Sequence, residues 1–385
     1  MLFNPSSYLS NTCLGLSLPG DSSIKFSSIP NSRLRGIRLA SASSTGFEPL
    51  AFVYINKFLS LLKPDLIHLQ NISSMGLGPV SYGKNIPKIM TLHDFWILCP
   101  RLDLMRGGSE NCNRGGLIKC FSCSFYSKHK FPFLRIQGLW HRLLSSINTL
   151  ICPSHFLAKQ IKQSGLSLCV EVLPNFIDLD LFSKYLFASD ENYFRRRYKI
   201  SAQDRVILFV GKLEKMKGVW DLIESFKSML DNCPELRASK LVIVGEGPEK
   251  VSLQHFALKQ KMREKIVFTG KLSQEEVICA YKASDIFSIP SSIAENCPLV
   301  MLEAMSAGLP IIASKKGGIP ELLANNGILI DPSDHFDLCH GMRKLLLDDT
   351  LRSEMKVASL KRVRLFDVKP HMKRLMKIYQ QAMQS

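Results

Sequence analysis

The chain has 385 residues, long enough for two domains. Hydrophobic residues make up 46% and charged residues 22%, which fits a packed globular protein and excludes a disordered or collagen-like one. No uninterrupted apolar run reaches the roughly 18 residues a spanning helix needs, and 11 cysteines are too sparse for a small disulfide scaffold and cannot all pair, so a reducing compartment is the simpler reading. The net charge of +17 is concentrated: residues 111–150 contain no acid at all. Such a field attracts phosphates, anionic lipid headgroups or nucleic acid without choosing among them.

Residues 1–46 are rich in serine and carry a single acid, Asp21. A Ser/Arg-rich, acid-poor start resembles an organelle transit peptide; a poorly ordered or truncated domain edge is the preferred reading. A secretory signal is disfavoured, because no compact apolar segment follows a basic start. From about residue 48 a β/α rhythm sets in. A helix is predicted over 51–62, strands over 66–69 and 86–92, a strand at 148–152, a helix over 154–164 and a strand at 170–173. A Pro/Asn/Asp loop and a charged stretch over 174–190 mark a boundary. Beyond it, strands are predicted at 205–210, 240–244, 265–268, 285–289, 310–313 and 327–330. Helices fall between and after them, near 218–230, 249–261, 273–282, 299–307, 318–324 and 334–347, and a last helix covers 369–383. Short apolar strands alternating with helices imply α/β architecture with parallel sheets covered on both faces. The division expected is an atypical region 1–46, a Rossmann-like domain 47–175 and a second Rossmann-like domain 176–368. The C-terminal helix 369–385 is expected to pack back on the first domain.

In open parallel sheets, ligands sit beyond the carboxyl ends of the strands, so residues just after each strand are the ones to read. After 205–210 comes GKLEKMKG, in which Gly211 and Gly218 allow close backbone approach and Lys212 and Lys217 can neutralise phosphate oxygens. It is not a Walker A loop. After 240–244 comes GEGP, which by itself reads as a strand-to-helix turn. After 285–289 the chain runs PSSIAENCPLVMLEAM, with Glu295 and Glu303 eight residues apart. Pro298 suits the start of a helix, whose free N–H groups can bind a phosphate. Glu303 on that helix could accept ribose hydroxyls, and Glu295 before it could hold sugar hydroxyls. An isolated pair of this kind is more often two acids around an ordinary helix start.

The ordered combination is more specific than any piece. With GKLEKMKG, VGEGPE, FTGKLS, IPSSIAENCPLVMLEAMSAGLPIIAS and GGIPE in the second half, and PDLIHLQN, TLHDFWILCP, PSHFL and LPNFID in the first, the chain resembles glycosyltransferase family 4, retaining enzymes of the GT-B fold, over roughly residues 50–385. The resemblance implies two Rossmann-like domains facing across a cleft. It implies a nucleotide-diphosphate sugar, UDP- or GDP-linked, as donor and no required cofactor. By the same resemblance, Lys217 and Lys212 would face the donor diphosphate, with Gly211 and Pro298 in the same loops and the amides near Leu299 and Val300 at the distal phosphate. Glu303 would bind the ribose, Glu295 the donor sugar, and His93 of TLHD would reach that sugar from the first domain. Lysines and amide dipoles would then stabilise the leaving group without a metal. Asp178 and Asp180, which follow LPNFI, match the family's interdomain loop rather than a metal site by the same resemblance.

The family opens with a strand and a Gly-rich loop, and no such unit precedes residue 50 here, so weak or no transfer is expected of the chain alone. Cys99, Cys112, Cys120 and Cys123 form C-x12-C-x7-C-x2-C, in which Cys120 and Cys123 could be half of a zinc site with His129 as a spare ligand, and four buried or incidental cysteines are the slightly preferred reading. The stretch 119–142 mixes lysines and arginines with aromatics, a composition shared by a membrane interface, a nucleic-acid surface and a solvated basic face. Peripheral contact with an anionic membrane is preferred because many relatives use lipid-linked acceptors. The expected protein is thus a hexosyltransferase of the cytoplasm or inner membrane face. It would act on a glycan or lipid-linked acceptor in polysaccharide biosynthesis, with no nucleic-acid partner. The alternative is a catalytically impaired nucleotide-sugar-binding paralogue; an epimerase of the same architecture and a nucleic-acid binder stand further back.

Overall fold

The computed structural model describes residues 142–384 without a break. Before them it describes 15–16, 24–25, 56–57, 59–70, 72, 78–99, 104–106, 110–112, 120 and 123. Most of the region 1–46 and of the basic stretch 119–142, and residues 51–55 of the helix expected over 51–62, therefore lie outside the described residues.

Besides two short antiparallel pairs, Gly15–Leu16 with Ile24–Lys25 and Met105–Arg106 with Glu110–Asn111, the described residues build two parallel sheets. The first runs in chain order: β1 (Ile67–Gln70), β2 (Lys88–Thr91), β3 (Thr149–Cys152) and β4 (Val170–Val172). Helix α1 (His155–Lys162) leaves β3 through Ser154, whose hydroxyl accepts from the Leu157 amide. After the crossing come α2 (Leu179–Ala188) and α3 (Glu191–Arg197), each started by an aspartate cap, Asp178 and Asp190. The second sheet holds six strands: β5 (Val206–Val210), β6 (Lys240–Val244), β7 (Ile266–Gly270), β8 (Ile286–Ile289), β9 (Ile311–Ser314) and β10 (Gly327–Ile330). Their spatial order is β7-β6-β5-β8-β9-β10, and every neighbouring pair is parallel. Around them lie α4 (Val219–Asn232), α5 (Lys250–Lys259), α6 (Gln274–Lys282), α7 (Leu299–Ser306), α8 (Ile319–Leu322), α9 (His335–Leu347) and α10 (Asp349–Arg362).

Alternation along the strands sends side chains to both faces of the second sheet. Val206 and Leu208 of β5 join one core with Ile278, Met301 and Leu302, while Ile207 and Phe209 join another with Leu222, Phe226 and Leu345. Both faces are thus covered by helices, which is why these strands read as continuous apolar runs.

Helices α2, α3 and α10 were not among the expected elements. The segment of α10, DTLRSEMKVASLKR, is mostly polar: Ser359 is its one fully buried residue, and only Leu351 and Met355 pack, partly buried, against the core. Its start is fixed by the Asp348 cap, and Arg362 at its end donates to the carbonyls of Glu321 and Leu322. The helix is held by its ends and by tertiary contacts, which an apolar period does not report. The last helix, α11 (Val368–Gln384), runs back onto the first sheet: Leu375, Ile378 and Ala382 pack with Ile89, Ile151 and Leu173. A bridge between Ile177 and Asp367 pairs the two chain segments that cross between the sheets. No helix among the described residues is long and apolar enough to cross a membrane.

Candidate active site at the sheet switch point

The order of the second sheet reverses between β5 and β8, the place where open parallel sheets bind ligands in a crevice beyond the carboxyl ends of their strands. The loops leaving these neighbouring strands are Gly211–Gly218 and 290–298. They are stitched together where Ser292 donates to the Met216 carbonyl from its amide, at 2.9 Å, and from its hydroxyl, at 3.1 Å. Gly218 closes the first loop at φ 71°, and a Cβ there would lie 1.9 Å from the carbonyl oxygen of Pro290. Only glycine lets the two loops approach this closely.

Lys217 Nζ donates to Glu295 Oε1 at 2.6 Å, which joins the basic loop to the carboxylate loop. Both side chains are largely shielded, 24% and 16% exposed, so the pair is stronger than a surface ion pair. Lys212 is exposed and pairs instead with Glu214. Helix α7 begins after Pro298, which is extended at φ −68° and ψ 121°, and no side chain caps it. The amides of Leu299 and Val300 thus start a helix whose first turn is open to a ligand acceptor. One turn on, Glu303 accepts from the hydroxyl of Tyr281 at 2.9 Å. Burial raises the pKa of Glu303, and the Tyr281 hydrogen bond opposes that rise. The Tyr281 hydroxyl also lies 3.2 Å from the Val300 carbonyl. Its single proton serves the carboxylate when Glu303 is ionised, and can turn to Val300 when Glu303 is protonated.

His93 comes from the first sheet, two residues beyond β2. Its Nε2 lies 3.3 Å from Gln70 Oε1 at the end of β1. The ring has exposed surface, yet the surrounding protein pushes its pKa down, favouring the neutral imidazole. Asn296, beside Glu295, reaches across and donates from Nδ2 to the His93 carbonyl at 3.1 Å. Asn175, between the sheets, donates to the Cys297 carbonyl at 2.7 Å. Segment 295–297 is therefore held from the second sheet by Lys217, from the first by His93 and from the crossing by Asn175.

The structure brings Lys217, Glu295, Pro298, Leu299, Val300, Glu303 and Gly211 to the carboxyl ends of β5 and β8, with His93 tied to the same segment from the opposite sheet. Lys212 points into no pair with them. Sequence reasoning passed over Tyr281, Asn175 and Asn296. The signal for Tyr281 is a hydroxyl on the buried side of α6, beside Ile278, where it must find a partner. Cys99 is buried in the apolar core of the first sheet. Among the described residues, no group of three or more His, Cys, Asp or Glu side chains could hold a metal ion.

Comparison with known proteins places this geometry. The family model for glycosyl transferases group 1 matches residues 190–362, and that for Glycosyltransferase Family 4 matches 19–181, so the two span both sheets. The chain belongs to this glycosyltransferase family. It is 28% identical over 324 residues to a sulfoquinovosyl transferase of Arabidopsis thaliana, covering 80% of this chain and 55% of that protein. It is 32% identical over 192 residues to a D-inositol 3-phosphate glycosyltransferase of Corynebacterium jeikeium, covering 48% of this chain and 45% of that protein. The chain thus spans about half the length of these curated relatives. Its fold matches Anabaena HepE, solved in complex with UDP, with TM-score 0.65 at 19% identity, covering 88% of this chain and 85% of that one. The fold is GT-B: two α/β domains built on parallel sheets.

Proposed function

We propose that the protein transfers a hexose from a UDP- or GDP-sugar to a glycan or lipid-linked acceptor, with retention at the anomeric carbon. The observation that carries this reading is the Lys217–Glu295 pair at the switch point, with Glu303 one turn into α7 and His93 tethered through Asn296. HepE, with the same fold, binds UDP, and the named relatives are glycosyltransferases.

The roles follow from position. The Glu303 carboxylate accepts the ribose hydroxyls. The amides of Leu299 and Val300 meet the distal phosphate, and Lys217 faces the diphosphate with Lys212 swinging in from solvent. Negative charge grows on the diphosphate as the sugar leaves, and fixed amides and ammonium groups stabilise it most in the transition state. Donor binding draws Lys217 towards phosphate, and Glu295 turns its freed acceptor oxygens to hydroxyls of the sugar. A neutral His93 offers one ring nitrogen as donor and one as acceptor to the sugar from the other side. Because cations of the chain itself do the charge stabilisation, transfer is expected to withstand EDTA. The basic stretch 119–142 would bring the enzyme to the cytoplasmic face of an anionic membrane.

Thermal shift with UDP, GDP and their hexose conjugates tests the site, since a ligand of the native state raises the melting temperature. A radiolabelled transfer assay on lipid extracts then tests the chemistry. Absence of any nucleotide-dependent shift would overturn the reading. Binding without turnover would make the protein a nucleotide-sugar-binding paralogue, the second reading. Sedimentation with anionic and neutral liposomes tests the membrane contact, and indifference to lipid charge would remove it.

A further inference from the structure

The first turn of an α-helix leaves four amides without partners inside the helix. In α1 the Leu157 amide is met from within the first domain by the Ser154 hydroxyl, at 3.1 Å, while the Ala158 amide makes the first intrahelical bond, to the Ser154 carbonyl, also at 3.1 Å. Two more of the four are met from the second domain. Glu321 accepts from the His155 amide through Oε2 and from the Phe156 amide through Oε1, each at 2.7 Å. A carboxylate at a helix start is favoured by hydrogen bonding and by the helix dipole together.

Glu321 is rigidly mounted. It ends the sequence GGIPE, and Arg362 of α10 donates to its carbonyl at 2.7 Å. The same short sequence grips the segment that carries Glu295. Gly318 donates to the Glu295 carbonyl at 2.7 Å. A Cβ on Gly318 would lie 1.9 Å from the Asn296 carbonyl oxygen and 2.6 Å from Ser154 Cβ, so this backbone is wedged between the two domains. One rigid piece therefore touches the first domain at its far end and Glu295 at its near end.

We infer that Glu321 is a positioning residue that couples closure of the two domains to the placement of Glu295. It rests on the proposed role of Glu295 at the donor sugar. When the domains close, the carboxylate seats on α1; the spacing so fixed lets Asn296 reach the His93 carbonyl and sets Glu295 opposite His93.

The test is amide hydrogen exchange of the full chain with UDP bound, alongside donor affinity and turnover, for Glu321→Ala, Glu321→Gln and Ser154→Ala. Glu321→Ala should speed exchange at 155–156 and also at 293–297 by about tenfold or more. UDP affinity should stay within about twofold and kcat should fall by roughly 10–100-fold, the scale of a misplaced reacting group. Glu321→Gln retains one acceptor oxygen and should fall between. Ser154→Ala loosens the same helix turn from inside its own domain and should leave 293–297 unchanged. Faster exchange confined to 155–156 in Glu321→Ala, or equal loosening of 293–297 by Ser154→Ala, would reduce Glu321 to an ordinary helix cap and overturn the inference. If the unmodified chain transfers no sugar, the functional reading fails, while the exchange at 293–297 still decides the coupling.

Discussion

Gly218 offers the sharpest test of how the crevice is built. Replacement by alanine meets two costs. The first is backbone strain at φ 71°, about 1–2 kcal/mol for an L-residue. The second is steric. A Cβ would lie 1.9 Å from the Pro290 carbonyl oxygen, whereas separations under 3.0 Å essentially never occur. The two loops must part by about 1 Å, and forcing such a shift in a packed site costs about 1–3 kcal/mol. The combined loss of roughly 2–5 kcal/mol corresponds to a fall in melting temperature of roughly 5–15 °C for a domain of this size. Gly165→Ala is the internal control: its φ is 78°, but a Cβ there meets nothing within 4 Å, so it carries the strain alone. Differential scanning calorimetry of both variants, with and without UDP, separates the terms. Gly218→Ala should melt several degrees below Gly165→Ala and lose most of its UDP-induced shift. Equal melting temperatures with unchanged UDP response would refute the claim that contact between the β5 and β8 loops shapes the nucleotide site.

Lys217→Met should weaken UDP binding by roughly 10–100-fold, since it removes a charge-assisted donor worth about 1.5–3 kcal/mol and leaves Glu295 unpaired; calorimetric titration measures this. Tyr281→Phe should cost about 1–2 kcal/mol in urea unfolding and raise the Glu303 pKa further, because the hydroxyl bond is what lowers it. Ribose recognition needs the carboxylate, so UDP affinity should rise with pH through the Glu303 pKa, and that limb should move to higher pH in the variant. His68 is held neutral, its pKa lowered to about 4 mainly by burial and also by His93 and His371. The unfolded chain binds the extra proton between its ordinary 6.5 and about 4, so stability is full above the upper value and falls as pH drops through that window, by up to about 3 kcal/mol. Urea midpoints at successive pH values should show this slope, and His68→Asn should flatten it.

The rhythm of apolar strands and amphipathic helices made both sheets legible, because a strand buried on two faces must be apolar along its length. Strand ends moved by a residue or two. Helices α2, α3 and α10 were missed for the converse reason: their stability comes from caps and tertiary partners. At the site, Lys217, Glu295 and Glu303 were legible because motif order fixes which strand each one follows. Tyr281 looked like a core residue, since the partner that explains its hydroxyl lies on another helix. Lys212 shared a loop with Lys217 in the sequence but turned outward to Glu214.

Local order along the chain therefore determined the fold class and the identity of the loops beyond each strand, because both depend on periodicity and near neighbours. Which loops meet was decided only in three dimensions. The approach of β5 to β8, the reach of Asn296 to His93 and the seating of Glu321 on α1 join residues separated by 79 to more than 200 positions. Such contacts form only when packing of both cores has fixed the distance between them, and no local propensity encodes that distance.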